Sequence, residues 1–477
     1  MIPAPSGLLT DQLLAGHPAR PTMAHAFTVR EARNGHEVGA YERLRRDVFV
    51  REQGLFDGSD RDDLDDAHER IVLVAVAAGG TDDGTVIGGV RLTPGAPGLD
   101  LAWWTGSRLA VSEGRRGTRH VGAALIEEAC RRAVAKGALR FDATVQLARV
   151  PLFERLGWRR VGATVVAGQP HARMRWPIAR VQQLVDATKA PLGEVLDGLA
   201  PGGAGWVGDD AAPVPGSDLL AACDGILPAM VARDPWWAGW CSVLVNANDL
   251  AAKGAAPLGL LDALAGPTAS FAKRVMGGIR SAAGAWGVPV LGGHTTLGVP
   301  ASLSVSMLGR AERPVPAGGA RVGDTLEIAA DLTGSWRPGY EGRQWDSTTA
   351  RSGEELRHLH ATVARRQPKA AKDISMAGLL GTVGMLAEAN GCGARIDLTA
   401  VPRPAEAGAA DWLTCFPGFG MVVAVDPHDR STGADRSEPA PPASCGQLRP
   451  GSGVDLRWPD GEIIRVVDGA TTNLGVA

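Results

Sequence analysis

The chain has 477 residues, of which 45% are hydrophobic and 21% charged, with 49 Lys and Arg against 52 Asp and Glu. Because single domains rarely exceed about 300 residues, this length predicts two or more domains. A net charge of −3 without basic runs argues against a nucleic-acid partner or a membrane surface, and no apolar stretch reaches the roughly 18 residues of a membrane-spanning helix.

Two further features of the sequence predict a cytoplasmic protein. The first 21 residues lack the basic start and apolar core of a secretory signal. The cysteines occur singly, without a CxxC pair, which is typical of reduced thiols and unlike a disulfide framework or a cysteine-based zinc site. They are Cys130, Cys223, Cys241, Cys392, Cys415 and Cys445.

The first part of the chain predicts a loose leader and then an α/β domain. Residues 1–24 are rich in Pro, Ala and Gly and form the leader, and residues 25–178 form the domain. The clearest helix is 121–135, where apolar residues recur every four positions and Gly137 is placed to end it. Strands are expected at 27–30, 71–77, 86–92, 99–111, 139–145 and 158–166, and further helices at 36–50 and 150–156.

The second part of the chain has a different composition, with Gly-rich turns and Ala-rich helices. A Pro- and Gly-rich stretch near 311–323 predicts a break between two lobes, which we place at 179–312 and 318–468. Residues 428–442 are rich in Asp, Ser and Pro and predict a disordered insertion. The expected fold class is α/β and α+β, a mixed-sheet domain followed by a two-lobed unit.

The loop between a strand ending at Val111 and the helix from Val121 has the features of a pyrophosphate site. Backbone N–H groups at a helix start, here those of Val121, Gly122 and Ala123, favour an anion. Gly122 would let phosphate approach the backbone closely. The flanking cations are Arg115, Arg116 and Arg119. The alternative is an ordinary strand–loop–helix connection with solvated arginines, and this short motif alone does not decide between the two.

Three segments in order resemble the GNAT family of N-acetyltransferases over residues 27–178. They are RRDVFVREQ at 45–53, RLAVSEGRRGTRHVGAA at 108–124 and LFERLGW at 152–158. The resemblance implies a mixed-sheet fold and acyl transfer to an amine from acetyl-CoA or another acyl-CoA. His120 stands where glycine is usual, and Phe153 replaces a frequent tyrosine acid, so the proton donor is unassigned. Glu52, His68 and Glu69 are candidate bases, but each also fits an ordinary surface residue, and the catalytic residues are unassigned.

Five aspartates lie in turn-like settings of the second part. Each on its own is explained more simply by helix capping or an Asx turn than by metal binding. Asp249 before LAAKGA and Asp373 before ISMAGLL, for example, could simply start helices. The set comprises Asp209, Asp210, Asp224, Asp249 and Asp373.

In their sequence context these aspartates resemble the AIR synthase-related family, over residues 180–468. The matching segments are GDDAA at 208–212, Asp224, NANDLAAKGAAP at 246–257, GGHT at 292–295, DISMAGL at 373–379 and FPGFGM at 416–421. The resemblance implies that the five aspartates hold Mg²⁺ against ATP, since Mg²⁺ binds carboxylates together with phosphates. Backbone N–H groups of Gly292 and Gly293 would contact phosphate, and Lys372 would offset its charge.

Departures from this family leave the substrate open. Lys253 stands where methionine is usual. His294 and Met376 replace aspartates of thiamine-monophosphate kinase, so that activity is not expected, and a metal at Asp373 is expected to be weak. The GGH variant is closer to selenophosphate synthetase, yet no cysteine precedes GDDAA where that enzyme carries its reactive residue.

The combination of both resemblances is similar to a bacterial family associated with nitrilase gene clusters. It implies a bifunctional enzyme that combines N-acyl transfer with ATP- and Mg²⁺-dependent activation or phosphoryl transfer on small molecules. It also implies a homodimer through the AIR synthase-like lobes, with the Ala- and Trp-rich stretch 236–262 at the interface. The alternative is a ligand-sensing or scaffold protein without turnover, which the replacements at His120, Phe153, His294 and Met376 favour.

Overall fold

The computed structural model describes residues 27–79, 83–117, 120–428 and 438–477. The chain forms two compact units, one ending at Ile178 and the other beginning at Ala179. The leader expected at 1–24 and most of the insertion expected at 428–442 lie outside the described residues. At the described end of that insertion, Glu438 accepts a hydrogen bond from Arg365 at 2.6 Å and Ala440 is buried. None of the described helices combines the length and the apolar character needed to cross a bilayer.

The first unit is a mixed sheet with helices, which confirms the expected fold class. Its strands are β1 (Phe27–Glu31), β2 (Ile71–Ala77), β3 (Val86–Pro94), β4 (Trp103–Val111), β5 (Arg140–Gln146), β6 (Arg159–Val166) and β7 (Gln169–Trp176). Its helices are α1 (Gly35–Arg46), continued by the π-helical segment Asp47–Glu52, then α2 (Val121–Ala135) and α3 (Val150–Arg155). The strand order is β1-β2-β3-β4-β5-β7-β6, and neighbours are antiparallel except β4 and β5.

The parallel strands β4 and β5 separate along their length. They pair between Trp103–Gly106 and Arg140–Ala143, and beyond this pairing β4 continues to Val111 and β5 to Gln146. Arg108 lies in β4 with a φ of +54°, so the strand is bulged just where it leaves β5. The bulge and the separation leave a cleft between two strands whose backbone groups face it.

The second unit contains two larger sheets and a short hairpin. The first sheet comprises β8 (Ala212–Pro213), β9 (Leu219–Ile226), β10 (Ala256–Gly266), β11 (Val290–Leu297) and β12 (Ser302–Arg310), in the order β11-β10-β12-β9-β8. There follow β13 (Thr325–Ala330), the hairpin of β14 (Ser335–Trp336) and β15 (Trp345–Asp346), then β16 (Ala370–Asp373), β17 (Gly393–Asp397), β18 (Gly420–Val425), β19 (Ala443–Arg449), β20 (Val454–Arg457) and β21 (Ile463–Val467). The second sheet has the order β16-β18-β13-β19-β17-β20-β21.

Helices cover parts of both sheets in the second unit. They are α4 (Arg180–Thr188), α5 (Leu192–Val195), α6 (Pro228–Arg233), α7 (Pro235–Ala252), α8 (Ala269–Trp286), α9 (Gly353–His360), α10 (Thr362–Arg366), α11 (Gly378–Ala389) and α12 (Ala409–Thr414). Helix α7 packs on β9 and β12 of the first sheet and also contacts β16 of the second. It therefore joins the two lobes of this unit.

Helix α7 is buried along nearly all of its length. Pro235 stands at its first position, and the Asp234 side chain accepts from the backbone N–H of Trp237 at 3.3 Å, which explains why the helix begins there. Trp237 and Trp240 belong to the core of the unit. The expectation of a dimer interface is therefore wrong for Trp237 and Trp240, because these two rings are already covered by the chain itself.

Candidate functional site

Three carboxylates from distant parts of the sequence meet in the second unit. Asp210 lies in the turn before β8, Asp249 in the last turn of α7, and Asp373 at the end of β16. Each offers one oxygen atom, and the three oxygens lie within 4.8 Å of one another. The fold thus brings together three of the five aspartates that the sequence analysis associated with Mg²⁺. We refer to these three residues as the carboxylate cluster.

Burial and mutual repulsion make the carboxylate cluster unfavourable without a counter-charge. Asp249 is 6% exposed and Asp373 is 2% exposed. Burial, and then the neighbouring carboxylates, raises the pKa of both side chains well above the usual range. Oδ2 of Asp373 is buried and has no hydrogen-bond partner among the described residues. A hard divalent cation would satisfy that oxygen, and a set of carboxylate oxygens fits Mg²⁺.

Lys372 holds the third carboxylate of the cluster. Its Nζ lies 2.5 Å from Oδ1 of Asp210, and the backbone N–H of Asp373 donates to Oδ2 of Asp210 at 3.3 Å. Although burial opposes it, Asp210 and Asp209 raise the pKa of Lys372, so the ammonium stays charged. Burial likewise opposes ionisation of Asp210, but Lys372 and Lys253 lower its pKa below the usual range. Lys372 therefore keeps Asp210 ionised and in place.

The other two predicted aspartates occupy different positions. Asp209 is engaged by the protein itself, since Oδ1 accepts from Nζ of Lys253 at 2.5 Å and Oδ2 from the backbone N–H of Ala317 at 2.7 Å. Asp224, on β9, is half-buried and within hydrogen-bonding reach of Asp249. Asp224 therefore borders the carboxylate cluster, whereas Asp209 lies outside it.

Lys189 is a cation near the cluster that the sequence analysis missed. It follows α4, and its charge acts on the carboxylates of Asp224 and Asp373. A single lysine at the end of a polar helix belongs to no motif. Only the fold shows that this helix end approaches segments 35 and 184 residues further along the chain.

Gly292 and Gly293 lie on the exposed edge strand β11. The parallel pairing of β10 with β11 sets Gly293 beside Asp262. A Cβ atom on Gly293 would collide with Oδ2 of Asp262, so packing within the sheet already requires glycine there. Contact of these two glycines with phosphate stays a prediction.

The helix-capping interpretation is wrong for two of the aspartates. Asp249 lies inside α7 rather than in front of a helix. Asp373 ends a strand, and α11 begins at Gly378 with Ala377 as its N-cap residue. Because Asp249 lies in the C-terminal turn of its helix, the helix dipole disfavours its charge. The buried positions of both side chains therefore need another explanation than capping.

In the first unit, a cavity of about 600 Å³ lies where β4 and β5 separate. The first α-helical hydrogen bond of α2 runs from the N–H of Ala124 to the carbonyl of His120 at 2.9 Å. The N–H groups of the three residues between them therefore have no acceptor within the helix and are oriented towards its start. Arg119 lies outside the described residues. The other loop residues selected from the sequence line the cavity; they are Val111, Arg115, Arg116, Val121, Gly122 and Ala123.

The candidate bases selected from the sequence do not line this cavity. Glu52 accepts a hydrogen bond from Nη2 of Arg116 at 2.6 Å, while His68 and Glu69 are exposed. Phe153 lines the cavity but packs edge-on against Trp158 with its ring centroid 5.3 Å away. The phenyl ring has no ionisable proton, so Phe153 cannot replace the tyrosine as a proton donor.

His171 on β7 is a functional candidate that the sequence analysis missed. It is 5% exposed and lines the cavity. Nδ1 lies 2.9 Å from the carbonyl oxygen of Gln169, which can only accept, so Nδ1 carries a proton and in the neutral tautomer the lone pair is on Nε2. Among the described residues of the cavity wall, His171 and the exposed His120 are the histidines.

A buried ion network supports one wall of the cavity. Arg45 is fully buried and binds the carboxylate of Asp65 through two bonds of 2.6 and 3.0 Å. Arg108 donates to Asp62 at 2.9 Å, and its guanidinium lies 4.6 Å from the ring centroid of Phe56. Arg108 and Phe56 both line the cavity. The network thus fixes the loop around residues 60–65 against the sheet.

Family models match in both units. The acetyltransferase (GNAT) family model matches residues 39–158. The N-terminal domain model of the AIR synthase related proteins matches residues 208–311, and the corresponding C-terminal domain model matches residues 348–458. The matched ranges contain the cavity-lining loop of the first unit and the carboxylate cluster of the second.

Individual known proteins are similar to parts of the chain. The uncharacterized protein sll0787 of Synechocystis sp. is 37% identical over 229 residues, which are 46% of this chain and 71% of the relative. A thiamine-monophosphate kinase of Caulobacter vibrioides is 30% identical over 263 residues, covering 46% of this chain and 71% of the relative. The crystal structure of thiamine monophosphate kinase from Aquifex aeolicus aligns with a TM-score of 0.41 at 20% identity, covering 54% of this chain and 92% of that chain. The chain belongs to the AIR synthase-related family through its second unit and carries a GNAT-family domain in its first.

Proposed function

We propose that the chain is a bifunctional enzyme of small-molecule metabolism. The first unit transfers an acyl group from acetyl-CoA or a related acyl-CoA to an amine, and the second uses ATP and Mg²⁺ to activate or phosphorylate its substrate. The observation that carries the second activity is the buried, unpartnered Oδ2 of Asp373 among three carboxylates. A catalytic module explains this unfavourable arrangement, because phosphoryl transfer depends on positioning and charge neutralisation.

In the second unit, each charged group has a defined part in this proposal. Asp249 and Asp373 would hold Mg²⁺ together with the carboxylate lone pairs of Asp210 that Lys372 does not use. Mg²⁺ would neutralise charge at the phosphates. Lys372 keeps Asp210 ionised through the 2.5 Å contact. Lys189 adds a positive charge on the side of Asp224 and Asp373, where it can bind a phosphate oxygen.

In the first unit, the cavity wall provides the groups that acyl transfer needs. Backbone N–H groups at the start of α2 bind the pyrophosphate of CoA, and the separated edges of β4 and β5 offer hydrogen bonds to its amides. The amine nitrogen attacks the thioester carbon, the C–S bond breaks, and the thiolate leaves. Nε2 of His171 accepts the proton of the amine and returns it to the thiolate or to water.

The proposal as a whole is tested by binding and then by turnover on the full chain. Calorimetry should show binding of acetyl-CoA, and separately of ATP only when Mg²⁺ is present. Thiol release from acetyl-CoA is then screened against amines, and ADP release against small metabolites. Binding of both ligands without turnover in either screen would support the ligand-sensing alternative, and binding of neither would contradict both functions.

Gly122→Val is expected to weaken CoA binding by at least about tenfold, equivalent to roughly 1.4 kcal/mol. The branched side chain would occupy the space in which phosphate approaches the N–H groups of α2. Gly122→Ala is the matched control, because a Cβ there would lie an ordinary 3.8 Å from Cγ2 of Val111. Calorimetry with CoA should show a much smaller loss for Ala than for Val. Equal CoA affinity of the wild type and Gly122→Val would contradict pyrophosphate binding at this loop.

The chain is expected to form a homodimer through the five-stranded sheet. Leu260 and Leu264 of β10 face the core, while Leu261 between them is 45% exposed. On the neighbouring β11, Leu291 is 57% exposed. An apolar sheet face of this kind favours a protein partner. Light scattering at micromolar concentration should give twice the chain mass, and Leu261→Asp should give the monomer; a monomeric wild type would contradict the dimer.

A further inference from the structure

Lys253 is a buried lysine whose ammonium group is fully occupied by the protein. It follows α7 directly and is 0% exposed. Nζ lies 2.5 Å from Oδ1 of Asp209, 2.6 Å from the carbonyl oxygen of Ala371 and 3.3 Å from Oδ2 of Asp210. An ammonium has three N–H donors and no acceptor, so these three oxygens saturate it.

The oxygens around Lys253 resemble the surroundings of a bound cation. Two are carboxylate oxygens of adjacent residues, Asp209 and Asp210, and one is a backbone carbonyl, a donor set that also suits a hard metal ion. The carboxylate of Asp209 also accepts hydrogen bonds from the backbone N–H groups of Asp210 at 2.8 Å and Ala317 at 2.7 Å. The side chain of Asp209 is therefore neutralised and held without any metal.

We propose that the ammonium of Lys253 is a built-in cation that takes the place of a divalent ion between Asp209 and Asp210. The carboxylate cluster then holds its divalent cation on the other side of Asp210, at Asp249 and Asp373, and Asp209 is not a metal ligand. This inference rests on the proposed metal function of the cluster. It adds that, without nucleotide, the chain binds one divalent ion rather than two.

The charges of the site agree with one ion. Five aspartates and three lysines lie in or next to the cluster, which leaves two negative charges when all are ionised. One divalent cation therefore neutralises the site, which can accept a second ion only with the phosphates of ATP. Replacing Lys253 by an apolar side chain would instead remove the nearer of the two ammonium groups from Asp209 and open that position.

The test counts Mn²⁺ ions bound by the nucleotide-free full chain, using the electron paramagnetic resonance signal of free Mn²⁺. We expect one ion for the wild type, two for Lys253→Met, and one again for Lys253→Met combined with Asp209→Asn. One ion in both the wild type and a folded Lys253→Met would overturn the inference, as would two in the wild type. No ion in the wild type would overturn the proposed metal site itself, so the two failures are distinguishable.

A second variant keeps the test informative if Lys253→Met does not fold. Asp209→Asn retains an oxygen for Lys253 and removes one negative charge in the wild-type background. If Asp209 is not a metal ligand, the Mn²⁺ affinity of Asp209→Asn should stay within about threefold of the wild-type affinity, with one ion bound. A loss of tenfold or more would make Asp209 a ligand and overturn the inference.

Discussion

Asp249→Asn and Asp373→Asn are each expected to weaken Mg²⁺ binding strongly without destabilising the metal-free protein. Losing one charge-assisted contact costs about 1.5–3 kcal/mol, which corresponds to an affinity about 10- to 150-fold lower. The pKa of both carboxyl groups is raised by burial and by neighbouring carboxylates, so the neutral amide removes repulsion in the metal-free fold. Calorimetry with Mg²⁺ and the melting temperature of the metal-free protein measure the two effects.

The pH dependence of the melting temperature tests whether the buried carboxylates destabilise the metal-free protein. A carboxyl whose pKa is raised on folding costs no stability below its ordinary pKa near 4, and costs more as the pH rises above it. The advantage of Asn in melting temperature should therefore be absent near pH 4 and grow towards neutral pH. Asp262→Asn is the matched control, because Asp262 is 8% exposed with its pKa raised by burial but lies on β10 beside Gly293. Weaker Mg²⁺ binding for Asp262→Asn, with unchanged binding for Asp249→Asn and Asp373→Asn, would contradict the proposed metal site.

Asp65→Asn is expected to destabilise the first unit by about 3–5 kcal/mol, because breaking a buried ion pair leaves an uncompensated charge. Asp65 is 1% exposed and binds fully buried Arg45, and its Oδ1 also lies 2.9 Å from Nη1 of Arg91. Hydrogen exchange read by mass spectrometry reports each unit separately. Protection should fall in β2 and β3 and stay unchanged in β13 and β18.

The control for this variant is an exposed ion pair of the same unit. Arg51 and Asp47 are 2.7 Å apart, with side chains 73% and 49% exposed, so Asp47→Asn should change stability by less than about 1 kcal/mol. Although burial opposes it, Arg45 and Arg91 hold the pKa of Asp65 well below its usual range. The contribution of Asp65 to the free energy of unfolding is thus complete above about pH 4 and is lost as the pH falls further. The stabilities of the wild type and of Asp65→Asn should therefore converge in acid. Equal effects of both variants at neutral pH would contradict this account.

Secondary structure could be predicted from the sequence where apolar periodicity was regular. Helix α2 has the expected bounds, 121–135, since its four-residue spacing faces one core. Strand β7 was missed, because QPHARMRW does not alternate apolar and polar residues. The turn before it uses Ala167 with a φ of +46° together with Gly168, so it lacks the usual Asn-Gly signal. His171 was missed with the strand that carries it.

The candidate site could be predicted only in part, for a physical reason. Residue type and family order indicated which aspartates matter, but adjacent residues of one turn can face different partners. Asp209 and Asp210 stand side by side in GDDAA, yet only Asp210 joins the cluster, because Lys253 occupies Asp209 from 44 residues away. The substitution at Met376 likewise suggested a weak site at Asp373, whereas the fold places Asp373 among the other two carboxylates.

The carboxylate cluster also lies where the two lobes of the second unit meet. Asp249 comes from the helix that packs on the first sheet, and Asp373 ends an edge strand of the second sheet. The proposed cation would link the two lobes, whereas without it repulsion between the carboxylates would oppose their contact. If the cluster binds that cation, we expect the junction between the lobes to open first when chelator is added and to regain protection when the ion returns.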